Sequence, residues 1–481
     1  MFFLRLTLAL MLFAFSLASA GALRAQSLEA RSPNPQEPAA AAPDQSSGES
    51  TSDTPGDLLT MFPHSESSRW WISGQANIIL QWHGDFFAKY SGTNSLHARG
   101  ENATSRVMTL ATGFALTPST ELLVDLESAG GHGISEAFGL GGFTNLDVVR
   151  NPTLGTRPYW ARILLRQIVP LSSKRVKAER GPLGLATALP ERRLEIRFGK
   201  FTFPDFYDLN EVGSDSHLQF LNWGVDNNGG YDYAADTRGY TWGAIFDYEQ
   251  PHFAARFAET LMPKVANGID MEWNITRARA ENVEVEFRGA LLSKYEGAVR
   301  LLTYVNHANM GDYREAIHAF QSGQDRKPDV TAHRRQGRIK YGFGINAEQK
   351  LPAGWRTYVR FGWNEGRSES FVYTEVNQAI SFGGDHDGRP WRRRNDRAGG
   401  AFVLHALSGD HREYLALGGL GFLLGDGALN YGRERIVEGY YTAHLLRGAF
   451  MTFDLQRIVN PGYNRDRGPV VVPAMRLHLD F

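Results

Sequence analysis

From Trp70 onward, apolar and polar residues alternate with a period of two. In RRLEIRFGKF, Leu194, Ile196 and Phe198 share one face and Arg193, Glu195 and Arg197 the other. NVEVEFRG sets Val283, Val285 and Phe287 against Glu284, Glu286 and Arg288. RIKYGFGINAE sets Ile339, Tyr341, Phe343 and Ile345 against Lys340, Gly342, Gly344 and Asn346. RTYVRFGWNEG sets Thr357, Val359, Phe361 and Trp363 against Arg356, Tyr358, Arg360 and Gly362. Successive side chains of a strand point to opposite faces, so such runs predict β-strands. Pro118, LPAGW and GGDHDGRP separate the runs as turns.

A soluble β-sandwich gives the same alternation with its apolar face inward. Three features favour a transmembrane barrel instead. The polar face carries full charges of both signs side by side, as water in a lumen permits. Many apolar runs end in Trp, Tyr or Phe, as interfacial girdles require. The sequence closes on RLHLDF, with Met475, Leu477, Leu479 and Phe481 on one face, an ending common in outer-membrane barrels. In hydrocarbon every backbone polar group must be paired, so a strand protein must close on itself. At about 10 residues per span the chain suits an all-β outer-membrane barrel of about 16 antiparallel strands, with roughly 18 as the upper end. A barrel of that size leaves an aqueous channel.

The N-terminus reads MFFLRLTLALMLFAFSLASAGALRAQS: one basic residue, an apolar stretch, then small residues with cleavage expected after Ala20 or Ala25. This predicts a secretory signal peptide over residues 1–25 rather than a membrane anchor. Residues 26–68 are rich in Pro, Ala, Ser, Asp and Gln and lack apolar periodicity, which predicts a disordered tether. Residues 69–481 then form one barrel domain. The absence of cysteine excludes thiolate chemistry and cysteine metal sites. A formal net charge of −1 gives no electrostatic case for nucleic acid. No later segment approaches 18 uninterrupted apolar residues, so no transmembrane helix is expected.

Residues 193–251 contain GKF at 199–201, DFYD at 205–208, QFLN at 219–222 and YDYAADTRGYT at 231–241, and NPGYN stands at 460–464. These blocks resemble the OprB-type carbohydrate-selective porins, over nearly all of the chain beyond the tether. ARILLRQ, GLGGFTN, FLLGDGALNYGRERIVEGYY and NPGYNRDRGPV look closer to a branch described as manganese or high-affinity cation porins. The resemblance implies a sixteen-stranded outer-membrane barrel and passive diffusion of small hydrophilic solutes. Glucose-like sugars are the solutes in the named members, and Mn²⁺ is the alternative that the branch raises. It implies no cofactor.

Diffusion needs a water-filled bore, a constriction and charges that bias entry. By alternation, the pore-lining candidates are Arg162, Arg166, Arg193, Glu195, Arg197, Glu284, Glu286, Arg288, Arg356 and Arg360, with Arg476, His478 and Asp480 of the last run also lumen-facing. They either set a transverse field across the bore or pair with one another and brace the wall. Arg360 is expected to stand in lumen water. Asp205 with Asp208, and Asp232 with Asp236, have the residue types of a glycosidase pair, as a secreted β-rich carbohydrate-active enzyme would need. Turn-bracing is the competing role for such carboxylates. Asp385, His386 and Asp387 offer oxygen and imidazole to a metal, although neighbouring residues point apart. The basic runs at 333–338 and 389–397 are candidates for lipopolysaccharide phosphates or for drawing anions to a pore mouth. Membrane lipids and solutes are the expected partners, and association of identical copies is left open. The stretch DNNGGYDYAADTRGYTW, 226–242, is expected to be a polar turn entering a lipid-facing strand, with Tyr240, Trp242, Ala244, Phe246 and Tyr248 on one face.

Overall fold

The computed structural model describes residues 59–148, 154–290 and 294–481. The expected signal peptide and the expected tether up to residue 58 lie outside the described residues. Residues 59–68 are irregular chain, tied to the barrel by Met61 N–H donating to Asp480 O at 2.8 Å.

The alternating runs become strands. In chain order they are β1 (Trp70–His83), β2 (Glu101–Thr117), β3 (Thr120–Gly131) and β4 (Tyr159–Pro170), then a small separate hairpin of β5 (Arg175–Lys177) and β6 (Ala188–Pro190). There follow β7 (Arg193–Phe201), β8 (Thr241–Gln250), β9 (Phe253–Leu261), β10 (Arg279–Gly289), β11 (Gly297–Met310) and β12 (Arg335–Lys350). The remainder are β13 (Trp355–Asn364), β14 (Gln378–Asp387), β15 (Arg397–Ala406), β16 (Glu434–Leu446), β17 (Ala449–Val459) and β18 (Val470–Asp480). All but β5 and β6 pair antiparallel with their neighbours in one closed barrel of sixteen strands. Apart from the step from β4 to β7, sequence neighbours are sheet neighbours. The seam is β1 against β18, in the register Gln75↔Asp480, Ile78↔Leu477 and Gln81↔Ala474. Closure leaves no unpaired edge, which is the condition for strands in hydrocarbon.

The connections differ at the two rims. One rim carries 84–100, 202–240, 262–278, 311–334, 365–377, 407–433 and 460–469. The other carries tight turns at 118–119, 251–252, 351–354 and 447–448. Outer-membrane barrels place short turns on the periplasmic side, which sets the orientation. The run at 389–397 therefore lies at the short-turn rim, while 333–338 lies at the long-loop rim.

Alternation also fixes the two faces. Phe198 is 63% exposed on the outer wall, while its neighbour Arg197 turns inward and is 7% exposed. On β1, Trp70 and Trp82 bracket Ile72, Ile78 and Leu80 on the outer face. On β13, Trp355 and Trp363 bracket Val359 and Phe361. Two aromatic ends around an apolar middle match an interfacial girdle at each bilayer surface.

The expectation for residues 226–242 is corrected here. The strand begins only at Thr241, and its outward residues are Trp242, Ala244, Phe246 and Tyr248, as expected. Tyr240 is not on that face: its hydroxyl donates to Glu127 of β3, inside the barrel, at 3.1 Å. Residues 226–239 do not form a turn at the rim either; they lie within the lumen. Their polar composition signals contact with a polar wall rather than with bulk water.

Val359 lies midway between Trp355 and Trp363 on β13, on the outer face. Val359→Arg is expected to lower barrel stability by about 2–4 kcal/mol, the cost of an arginine near the bilayer midplane. Urea unfolding in lipid vesicles, followed by tryptophan fluorescence, measures this; an unchanged midpoint would place Val359 away from lipid.

Candidate functional site: a lumen crossed by an infolded loop

The connection 202–240 turns into the barrel instead of standing above it. A segment crossing a lumen has no sheet partner for its backbone, and an unpaired buried amide or carbonyl is costly. Side chains from the wall supply the partners. On β10, Glu284 accepts the Asp208 N–H at 2.7 Å, and on β12, Asn346 donates to Asp208 O at 2.7 Å. On β13, Arg360 donates to Val225 O at 2.8 Å, Asp226 O at 3.1 Å and Asp208 O at 2.9 Å. Its Nε lies 2.8 Å from Asp208 Oδ2. Across the lumen, Glu438 of β16 accepts the N–H groups of Leu221 at 2.6 Å and Asn222 at 3.1 Å. Arg476 of β18 donates to Ser216 O at 2.8 Å and Gln219 O at 2.7 Å. On β11, Tyr304 donates to Gly230 O at 3.0 Å.

The stretch DNNGG explains itself at this contact. Asn228 Oδ1 accepts Gly230 N–H at 3.1 Å, and its Nδ2 donates to Phe361 O at 3.1 Å. Gly344 and Gly362 on the inner wall make room: a Cβ on Gly362 would overlap the Asn228 amide. A Cβ on Gly230 would come within 2.7 Å of the Gly362 carbonyl carbon. Glycines on both sides let two backbones approach closely. Asn222 caps the short turn Trp223–Asp226 by accepting Gly224 N–H at 2.9 Å. Trp223 stacks on Tyr373 with centroids 4.7 Å apart, and Tyr233 lies 6.0 Å from the same ring.

A second segment, 171–192, enters from the short-turn rim. Its Leu185 is 2% exposed, and a Cβ added to Gly113 of β2 would meet it. Arg180 fixes the segment by donating to Ser68 O at 2.6 Å and Trp70 O at 2.8 Å.

Between the infolded loop and the wall of β1 to β4 a cavity of about 490 Å³ remains. Gln75, Glu127, Tyr159, Arg162, Asp215, His217, Arg238, Tyr240 and Asp480 border it. A second cavity, of about 330 Å³, lies by β10 to β13, bordered by Glu211, Glu286, Arg288, Arg300, Glu348 and Arg356.

The model of the carbohydrate-selective porin, OprB family, matches residues 109–481. The chain belongs to this porin family. Its structure is similar to the high-pH structure of Pseudomonas putida OprB, with a TM-score of 0.62 at 14% identity, covering 86% of this chain and 94% of that one. The outer membrane channel DcaP of Acinetobacter baumannii aligns with a TM-score of 0.44 at 9% identity, over 86% of this chain and 97% of that one. No curated protein matches.

The sequence-based pore candidates all fall on lumen-facing positions of the porin, but most are engaged. Arg166 lies 3.0 Å from Glu121 and 2.7 Å from Glu195. Glu195 also holds Arg193, at 2.6 Å, and Arg197, which reaches Asp247 at 3.3 Å. Glu284 and Glu286 both meet Arg256, at 2.9 and 2.7 Å. Glu286 continues to Arg300 at 3.0 Å, and Arg288 pairs with Glu249. Arg356 is bidentate on Asp385, at 2.9 and 2.6 Å. Arg162 borders the larger cavity and is held between Asp125 and Asp205. Arg360 does not stand in open water: it is 2% exposed and clamps the loop. Arg256, Arg300 and Glu438 escaped the sequence reading. FAARFAETL carries the signal for Arg256, an arginine between Ala254 and Ala258 on the inward face.

The carboxylates considered as a glycosidase pair have other duties. Asp205 binds Arg162, and Asp208 binds Arg360. Asp232 lies 2.8 Å from Lys340 and accepts the N–H groups of Phe371 and Val372. Asp236 accepts those of Arg238 at 2.9 Å and Tyr240 at 3.2 Å. The structure does not bring Asp385, His386 and Asp387 together. Asp385 faces the lumen between Arg356 and Arg397, His386 packs on Trp355 from the other face, and Asp387 holds Arg389 at 2.7 Å.

Arg360→Ala removes one half of a buried pair, a loss of about 3–5 kcal/mol in loop seating. Proteolysis within 202–240 and single-channel conductance should both rise; unchanged values would show that the loop is held elsewhere. Asp226, within the loop, has its carboxyl pKa pushed up to about 8 by burial. An unseated loop would return it to about 4. The seated loop therefore binds the proton more tightly, is most stable at low pH, and loses stability as pH climbs from about 4 to about 8. Asp226→Asn should flatten the pH dependence of protease sensitivity over that window.

Proposed function

We propose that this porin carries small hydroxyl-rich solutes, sugars foremost, down their gradients between the infolded loop and the wall of β1 to β4. One observation carries the reading: the loop crosses the lumen yet leaves a polar cavity bordered by carboxyl, guanidinium and phenol groups. Sugar hydroxyls exchange hydrogen bonds with water for hydrogen bonds with these groups at little net cost, so the solute enters and leaves readily. No covalent step and no bound cofactor is needed. The family and the barrel put the protein in the outer membrane. The apolar N-terminal stretch with its small-residue sites supports export with cleavage after Ala20 or Ala25. The position of the basic run 333–338 at the long-loop rim favours it over 389–397 as a contact for lipopolysaccharide phosphates in the outer leaflet.

Liposome swelling with the refolded chain tests the proposal. Monosaccharides should enter rapidly and rates should fall steeply with solute size. Vesicles that conduct ions yet exclude every sugar would overturn it.

A further inference from the structure

The larger passage is unevenly charged. Arg162 is balanced by Asp125 and Asp205, and Asp208 by Arg360. The remaining groups along the cavity are mainly acidic. Glu127, Asp147, Asp215 and Asp480 border it, and none has an ion-pair partner among the described residues. Three of them are held by neutral donors instead. Glu127 accepts from the hydroxyls of Tyr159, Tyr240 and Thr109, Asp147 from Asn77 Nδ2 at 2.6 Å, and Asp215 from the His217 and Leu218 N–H groups at 3.0 Å. Against them stand His217, Arg238, whose guanidinium lies 3.9 Å over the Tyr159 ring, and behind the loop Arg476, which is engaged on Ser216 O at 2.8 Å beside Asp215.

A second observation is independent of that balance. Asp226 also borders the cavity and is 6% exposed. Its Oδ2 accepts from Asn227 Nδ2 at 2.8 Å, while its Oδ1 has no hydrogen-bond partner among the described residues. Buried polar atoms are rarely left unpaired, so this oxygen leaves a place for a hydrogen-bonding group of a solute in the passage.

We propose that the passage sorts hydroxyl-rich solutes by charge, favouring those that carry an ammonium group, amino sugars above all, over neutral sugars and over sugar acids. An ammonium has three donors and no acceptor, which suits carboxyl oxygens held by neutral neighbours. The low-dielectric wall around a narrow aqueous path focuses the field of these groups and enriches cations along it. The proposal rests on the pore reading above and names the class of solute that the same site selects.

The test uses the full chain in liposomes and planar bilayers at low salt. In a KCl gradient the reversal potential should report K⁺ over Cl⁻ permeability on the order of tenfold. Swelling rates should fall in the order glucosamine, glucose, glucuronate, and the glucosamine preference should shrink as salt is raised. Asp215→Asn combined with Asp480→Asn should bring the glucosamine-to-glucose ratio toward one. Open channels with equal rates for the three sugars, or with anion preference, would overturn the charge proposal and leave the pore reading standing. Channels that pass ions and no sugar would overturn the pore reading itself. The wild-type series decides the matter even where the double variant does not insert.

Discussion

A chain segment laid across a water-filled barrel must find hydrogen-bond partners where no sheet provides them. The loop 202–240 meets that requirement by borrowing side chains from the wall, and the interior of this porin is organised around it. Glu284 and Glu438 receive its amides, while Arg360, Asn346, Tyr304 and Arg476 reach its carbonyls. Each wall residue can do so only because strand alternation turns it inward, and each inward position exists only because the barrel closes between β1 and β18. Remove closure and the loop has nothing to rest on; remove the loop and a row of polar side chains faces an empty bore.

The fold was legible in the sequence because membrane strands obey a strict two-residue code. Leu194, Ile196 and Phe198 against Arg193, Glu195 and Arg197 already assign both faces of β7, and the structure keeps that assignment. The infolded loop was not legible. Gly, Asn and Asp in DNNGG serve a solvent-exposed turn as well as a segment pressed against glycines of a facing wall. The deciding residues, Gly344 and Gly362, lie more than a hundred positions away. Alternation also says only that Arg360 points inward. It cannot say that Asp208, brought back by the loop, will meet it there, so a side chain expected in water is instead a clamp.

The charged wall divides into two regimes with different physics. From β3 through β12, carboxylates and arginines form a nearly continuous chain of pairs, Glu121 to Arg166 to Glu195 to Arg197 to Asp247 to Arg256 to Glu286 to Arg300 to Glu348. Such a chain satisfies itself and offers little net field. Near β1 and β18 the acidic groups meet neutral donors instead, and there the electrostatic bias of the bore is concentrated.

The seating of the loop against Gly344 and Gly362 has an evolutionary consequence. The wall beneath those glycines is a foundation, and change there alters the scaffold. The arc around β1 to β4 faces the open passage and touches the loop through Arg162, on Asp205, and Glu127, on Tyr240. Substitutions at the other inward positions of that arc can retune what the channel admits without unseating the loop, so drift in cargo among related barrels should be concentrated on one side of the ring.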